Sequence, residues 1–204
     1  MSRTKVDLKE VEKTLTIERA EERARDLHQG QYRKAEQQVP YIVHPIGVAE
    51  IVSGYTEDED VIAAALLHDT VEDCDYTFSE MQDEFNNKIV EIVKDVSEDK
   101  SLKEQQGGEQ SWQRRKEKYL RHLGNKARTE SLLVAAGDKI HNIESMVREY
   151  DRMGKKLWDN LNSSPKQNLW YYGEMIDILE DNFNKGFIER LKQDYKQLQQ
   201  KIKK

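Results

Sequence analysis

Apolar residues recur every three or four positions along most of the chain, with charged residues between them, the pattern of helices that bury one stripe. Over residues 8–29 the stripe is Leu8, Val11, Leu15, Ala20, Ala24 and Leu27, and Gly30 ends it. A polar, irregular run follows. Pro45 then suits the first turn of a helix predicted over residues 46–53, which leaves His44 at the helix entrance. The acidic run from Glu57 to Asp60 favours a helix N-terminus and predicts a helix through Val61, Ala64, Ala65, Leu67 and His68. Thr77 and Glu80 have the spacing of a capping box ahead of Phe78, Met81 and Phe85, and Ile89, Ile92, Val93 and Val96 make the next stripe. Periodicity fails over residues 98–110, where Gly107-Gly108 marks a surface loop. Helices resume over 112–123 and 129–150, and Ser164-Pro165-Lys166-Gln167 announces another through Leu179. Phe187, Leu191, Tyr195, Leu198 and Ile202 make a terminal helix that packs on the domain or on a second subunit, so a homo-oligomer stays open. Trp158, Trp170, Tyr171 and Tyr172 read as packing aromatics.

Composition narrows this to one class. With 10 Gly, 3 Pro and 35% charged residues, there is little room for sheet turns, and an all-α bundle of about eight to ten helices is expected. The 204 residues suit one domain with a sizeable core. A net charge of −6 argues against nucleic acid as a partner, so an anionic ligand must meet a local basic patch. Cys74 is the lone cysteine, which excludes a disulfide framework or a cysteine-based zinc site and suits a reducing compartment. No apolar run is long enough to cross a membrane, and the charged N-terminus lacks the core of a signal peptide. A cytoplasmic protein with no membrane partner is the expectation.

The chemistry concentrates in AAALLHDTVEDCD, residues 63–75, which turns without a break from apolar to ionisable. On one helix His68 and Glu72 are four residues apart, as are Asp69 and Asp73, so the two pairs share overlapping faces. An exposed acidic helix end beside a satisfied core histidine is the usual reading of one His-Asp pair. Here the rest of the chain supplies further partners. Asp138, His141, Asn142 and Ser145 fall on one face of the 129–150 helix, and His44 stands upstream. Two imidazoles and two carboxylates, His44, His68, Asp69 and Asp138, neutralise a divalent cation and leave coordination positions open. That donor set suits Mn²⁺ or another divalent transition metal and water attack on phosphorus, with Glu72 and Asp73 placed to take or orient the water's proton. His28, His122 and His141 are not ligands in this reading, and His141 is the one closest to the site. The basic cluster Arg114, Arg115, Lys116 and Lys118 is equally a solvated face or a ligand contact.

YIVHPIGVAEI, AALLHDTVED and GDKIHN resemble the HD-domain phosphohydrolases, whose signature is an early His, a His-Asp dyad and a later Asp. More narrowly they look like the alarmone hydrolase branch, the hydrolase domain of RelA/SpoT proteins and the small stand-alone SpoT homologues. HDTVED matches that branch's HDxxED box, and Arg33-Lys34 followed by PYIVHP is similarly specific. The resemblance covers about residues 20–150, with the helices of 155–204 packing on that core. It implies Mn²⁺ on His44, His68, Asp69 and Asp138, and water activation by Glu72 and Asp73. It also implies substrate contacts from Arg33, Lys34 and Asn142. The implied reaction cleaves the 3′-pyrophosphate from guanosine 3′,5′-bis(diphosphate), and the length implies a hydrolase without a synthetase. Two other readings stay open: a phosphohydrolase of another nucleotide or a phosphorylated cofactor such as NADPH, and an inactive helical interaction module. One departure matters. Glu144 stands where the branch commonly has arginine, so repulsion of a polyphosphate is expected unless Arg148, Lys100 or the 114–118 cluster compensates.

Overall fold

In the computed structural model, residues 14–36, 38–98, 109–183 and 185–203 are described, and Leu8, Val11, Lys100, Gly107 and Gly108 lie outside them. Thr14 opens α1 (Leu15–Leu27), its hydroxyl accepting from the Ile17 N–H. Ile17, Ala20 and Ala24 form the buried face, whereas Leu15, expected in that stripe, is 86% exposed. At roughly 100° per residue it lies about 140° from Ala20 around the axis. Gly30 takes φ +80°, a left-handed conformation that lets the chain reverse after α1.

An isolated antiparallel bridge between Tyr32 and Pro40 ties the following loop, and no residue among those described lies in a β-strand. Next comes α2 (Val43–Ser53), three residues ahead of the predicted start, with Pro45 still in its first turn. His44 is therefore the second residue of a helix, not the residue before one. Asp58 caps α3 (Glu59–Leu67), in which every residue from Val61 to Leu67 is buried. Such a helix is apolar all round because it is packed on all sides: α1, α2, α6 (Asn87–Val96) and α8 (Thr129–Met153) surround it.

The expected unbroken helix through residues 63–75 does not form. The chain turns at His68-Asp69 and a separate short helix, α4 (Thr70–Asp73), follows. Side chains take the last carbonyls of α3. His68 Nδ1 lies 2.8 Å from the Ala65 carbonyl oxygen, and the Thr70 hydroxyl donates to that of Leu67 at 2.7 Å. Side-chain competition for backbone acceptors ends the helix at the dyad.

The capping boxes Thr77/Glu80 and Ser164/Gln167 both form, at the starts of α5 (Phe78–Glu84) and α9 (Pro165–Glu180). α7 (Glu109–Lys126) precedes α8, a 3₁₀ segment (Gly154–Asn160) follows it, and α10 (Lys185–Ile202) closes the chain. α10 packs on α8 and α9 of its own chain, burying Leu191 and Leu198. Among the described residues no helix is long and apolar enough to cross a membrane.

α2 and α8 cross closely because Gly137 has no side chain. A Cβ there would lie 2.9 Å from Val52 Cγ2 and 3.4 Å from Val48 Cγ1. Overpacking a tight core contact costs about 1–3 kcal/mol, so Gly137→Leu should lower the unfolding free energy by that much, read as a lower denaturant midpoint. An unchanged midpoint would show that the crossing has slack.

Candidate metal centre and adjoining cleft

Three elements deliver the four candidate ligands: α2 carries His44, the α3–α4 turn carries His68 and Asp69, and α8 carries Asp138. Ligand atoms of His44, His68 and Asp69 all lie within 4.8 Å of one another. His44 Nε2 is 3.4 Å from Asp69 Oδ2 and 3.2 Å from Asp138 Oδ1, and His68 Nε2 is 3.2 Å and 4.0 Å from the same atoms. Both imidazoles and Asp138 are buried, and Asp69 nearly so.

A carbonyl oxygen only accepts, so the bond to Ala65 puts a proton on His68 Nδ1 and turns Nε2 toward the carboxylates. Nε2 is buried and, among the described residues, makes no hydrogen bond. A lone pair facing two carboxylates is unfavourable unless a proton or a cation sits between them. The donor set, two imidazole nitrogens and two carboxylate oxygens, fits a divalent transition metal. Burial works against charge on His68, but Asp69 and Asp138 outweigh it and push its pKa up to about 9. Burial also opposes ionisation of the two carboxylates. His68 overcomes it at Asp69 and Lys139 at Asp138, and both stay below the usual carboxylate range.

Around the ligands lies a ring of hydrogen bonds. The Tyr41 hydroxyl donates to Asp69 Oδ2 at 2.5 Å and lies 3.2 Å from Asp73 Oδ2, and burial together with Asp69 and Asp73 keeps the phenol protonated. Asn142 Nδ2 donates to Asp138 Oδ1, Lys139 Nζ to Asp138 Oδ2, and Arg33 Nη2 to Asn142 Oδ1 at 2.8 Å. His44 Nδ1 is 2.9 Å from His141 Nδ1, and burial and His44 push the His141 pKa down to about 2.

Two adjoining spaces divide the predicted residues. An inner cavity of about 160 Å³ holds the four candidate ligands, Glu72, Lys116 and Lys139. An outer cleft of about 490 Å³ is lined by Lys34, Asp73, Met146 and Tyr172, and Arg33, Tyr41 and Asn142 border both. Glu72 and Asp73, grouped on overlapping faces in the sequence, are thus separated. Glu72 faces the inner cavity and accepts the Glu98 N–H, while Asp73 is a wall of the outer cleft. His28 stacks on Tyr41, and His122 pairs with Asp95 away from both spaces.

Sequence reasoning gave no role to Tyr41, Lys139 or Glu98, and read Tyr171, which is buried, only as a packing aromatic. Lys116 Nζ sits 4.6 Å from the Tyr171 ring centroid and Lys139 Nζ 5.4 Å from it, so two cations share one aromatic ring. Lys116 also pairs with Glu98, as does Arg115 at 3.1 Å. The signal for Lys116 was its phase, since it follows Trp112 and precedes Leu120 by four residues, both buried. Glu144 does not face the cleft. It lies about 120° around α8 from Asp138 at roughly 100° per residue, and Arg190 of α10 binds it through Nε at 2.9 Å. Of the cations expected to compensate, Arg148 pairs instead with Glu36 at 2.9 Å, Lys116 borders the inner cavity, and Lys100 lies outside the described residues.

Residues 20–164 match the family model of the HD domain. The guanosine-3′,5′-bis(diphosphate) 3′-pyrophosphohydrolase MESH1 of Danio rerio is 39% identical over 127 residues, 61% of this chain and 66% of that protein. A protein of the same activity name from Haemophilus influenzae is 44% identical over 80 residues, 39% of this chain and 12% of that one. The matched segment therefore spans just under two thirds of the first relative and a small part of the second. A solved metazoan ortholog of SpoT, described as hydrolysing ppGpp, superposes with a TM-score of 0.73 at 26% identity, covering 92% of this chain and 97% of its own. A Listeria monocytogenes structure shares the fold, with a TM-score of 0.64 at 24% identity over 81% of this chain and 97% of its own.

With its pKa at about 9, metal-free His68 carries a proton at pH 7 that a bound cation must displace. Mn²⁺ binding should release about one proton at pH 7, and apparent affinity should rise with pH and level off above about 9. Calorimetry in buffers of different ionisation enthalpy measures this. Binding without proton release at pH 7 would contradict the assignment of His68.

Proposed function

The chain belongs to the HD-domain family, and on that ground we propose that it is a metal-dependent phosphohydrolase that removes the 3′-pyrophosphate of guanosine 3′,5′-bis(diphosphate). The observation that carries the reading is the buried Nε2 of His68, turned on two carboxylates beside an open, cation-lined cleft. Relatives at 38–44% identity carry the name of this activity.

In this reading His44, His68, Asp69 and Asp138 hold the metal, with Mn²⁺ the first candidate. A divalent cation held there supplies Lewis acidity and lowers the pKa of water. Glu72 accepts the proton of the water that attacks phosphorus, the bond from that phosphorus to the ribose 3′-oxygen breaks, and pyrophosphate departs as the 3′-hydroxyl takes up a proton. Glu72 is suited to this because it borders the inner cavity. Asp73, across the Tyr41 hydroxyl from Asp69, orients the water or the ribose from the outer side.

Charge decides how a polyphosphate can enter an acidic protein. Arg33, Lys116 and Lys139 border the inner cavity and offset the repulsion from Glu72 and Glu98. Arg33 and Lys34 reach the nucleotide in the outer cleft, and Asn142, held between Arg33 and Asp138, meets the sugar and its phosphate. The reading takes the chain as one domain working in the reducing cytoplasm.

Purified protein with Mn²⁺ should convert guanosine 3′,5′-bis(diphosphate) to guanosine diphosphate and pyrophosphate. Asp69→Ala should lose metal and turnover together. Glu72→Gln should keep the metal and lose about 10²- to 10⁴-fold in kcat, the usual worth of a general base. Intact substrate alongside dephosphorylation of another nucleotide or NADPH would overturn the substrate assignment. Full activity of Asp69→Ala would overturn the metal reading.

A further inference from the structure

The two histidines of the centre are fixed by different partners. His68 has a backbone carbonyl on Nδ1, which can only accept, so its ring has one tautomer available. His44 has instead the Nδ1 of another imidazole, His141, at 2.9 Å, with the ring planes tilted by 51°. Two facing ring nitrogens share a single proton, and which one carries it decides whether His44 presents a lone pair or an N–H to Asp69 and Asp138.

We infer that His141 is a positioning residue for the metal centre. It accepts a hydrogen bond from His44 Nδ1 and so directs the bare Nε2 of His44 to the cation. This rests on the metal reading given above. Partners on the far nitrogen of a ligating histidine set ring orientation and basicity, and their loss typically costs about 10- to 100-fold in metal affinity.

Two further features serve this role. The first is Gly47, three residues after His44 and one turn along α2. A Cβ built there would overlap Cδ2 and Nε2 of His141, so only glycine leaves room for the imidazole against the helix. The second is the space beyond the ring. For Nδ1 of His141 to accept, its proton must sit on Nε2, and His141 borders a cavity of about 300 Å³ with Glu144, Arg148 and Arg190, outside the metal cavity.

The test titrates Mn²⁺ into the metal-free 204-residue chain and its variants, with thermal unfolding as the check on folding. His141→Phe should weaken Mn²⁺ about 10- to 100-fold, and His141→Gln, whose carboxamide oxygen accepts, should recover most of that loss. Gly47→Ala should weaken Mn²⁺ in the wild-type background and add nothing in His141→Ala, where the ring is gone. That cycle stays decisive even if His141→Phe fails to fold. Nitrogen NMR of the Zn²⁺-loaded wild type should find His44 protonated on Nδ1 and His141 on Nε2. Wild-type binding with unchanged affinity in folded His141→Phe, or an equal Gly47→Ala loss with and without the imidazole, would overturn the inference alone. No Mn²⁺ uptake by the wild type would overturn it together with the metal reading.

Discussion

The distance between α2 and α8 governs the site. His44 rides on one helix and Asp138 on the other, and their ligand atoms come within 3.2 Å because the crossing carries glycine from both sides. Gly137 meets Val48 and Val52 of α2, and Gly47 meets His141 of α8. Helices ordinarily pack 8–10 Å apart, the distance set by side chains at the contact. Removing the side chain at both contacts brings two short ligands together from helices far apart in sequence. The buried Val61–Leu67 stretch of α3, packed against both, holds the dyad turn at the same level.

That proximity has an electrostatic cost, and the surrounding residues offset it. Asp69, Asp138, Glu72 and Glu98 crowd one small cavity, and burial disfavours charge on Asp69, Asp138 and Glu98. Lys139 answers Asp138, Lys116 and Arg115 answer Glu98, and Arg33 reaches Asp138 through Asn142. An acidic chain can therefore present cations to a polyphosphate, because its local balance at the cleft differs from its net charge.

Local features were legible in the sequence. Both capping boxes, the buried stripe of α6 and the His-Asp dyad depend on residues within a turn of one another, and periodicity or short motifs report them. The break at His68 was not, because α3 reads as a helix that should continue; it ends where two polar side chains take its carbonyls. Lys139 was missed because adjacent residues on a helix do not ordinarily face each other, yet it pairs with Asp138. Tyr41 and Arg190 were missed for a different reason: each acts on a residue far from it in sequence, and only folding brings its polar atom into reach.

The Glu144–Arg190 clasp ties the charge of the site to the far end of the chain. The stretch that matches the HD-domain model ends at residue 164, yet the cation that pairs with Glu144 comes from α10, beyond it. Part of the charge on the wall behind His141 is thus set by a helix outside that stretch. Transplanting residues 20–164 into another scaffold would carry the ligands across and leave this counter-charge behind, so the grafted centre would sit in a more negative field than the parent. The terminal helix is in this sense an external trim on the potential of the site.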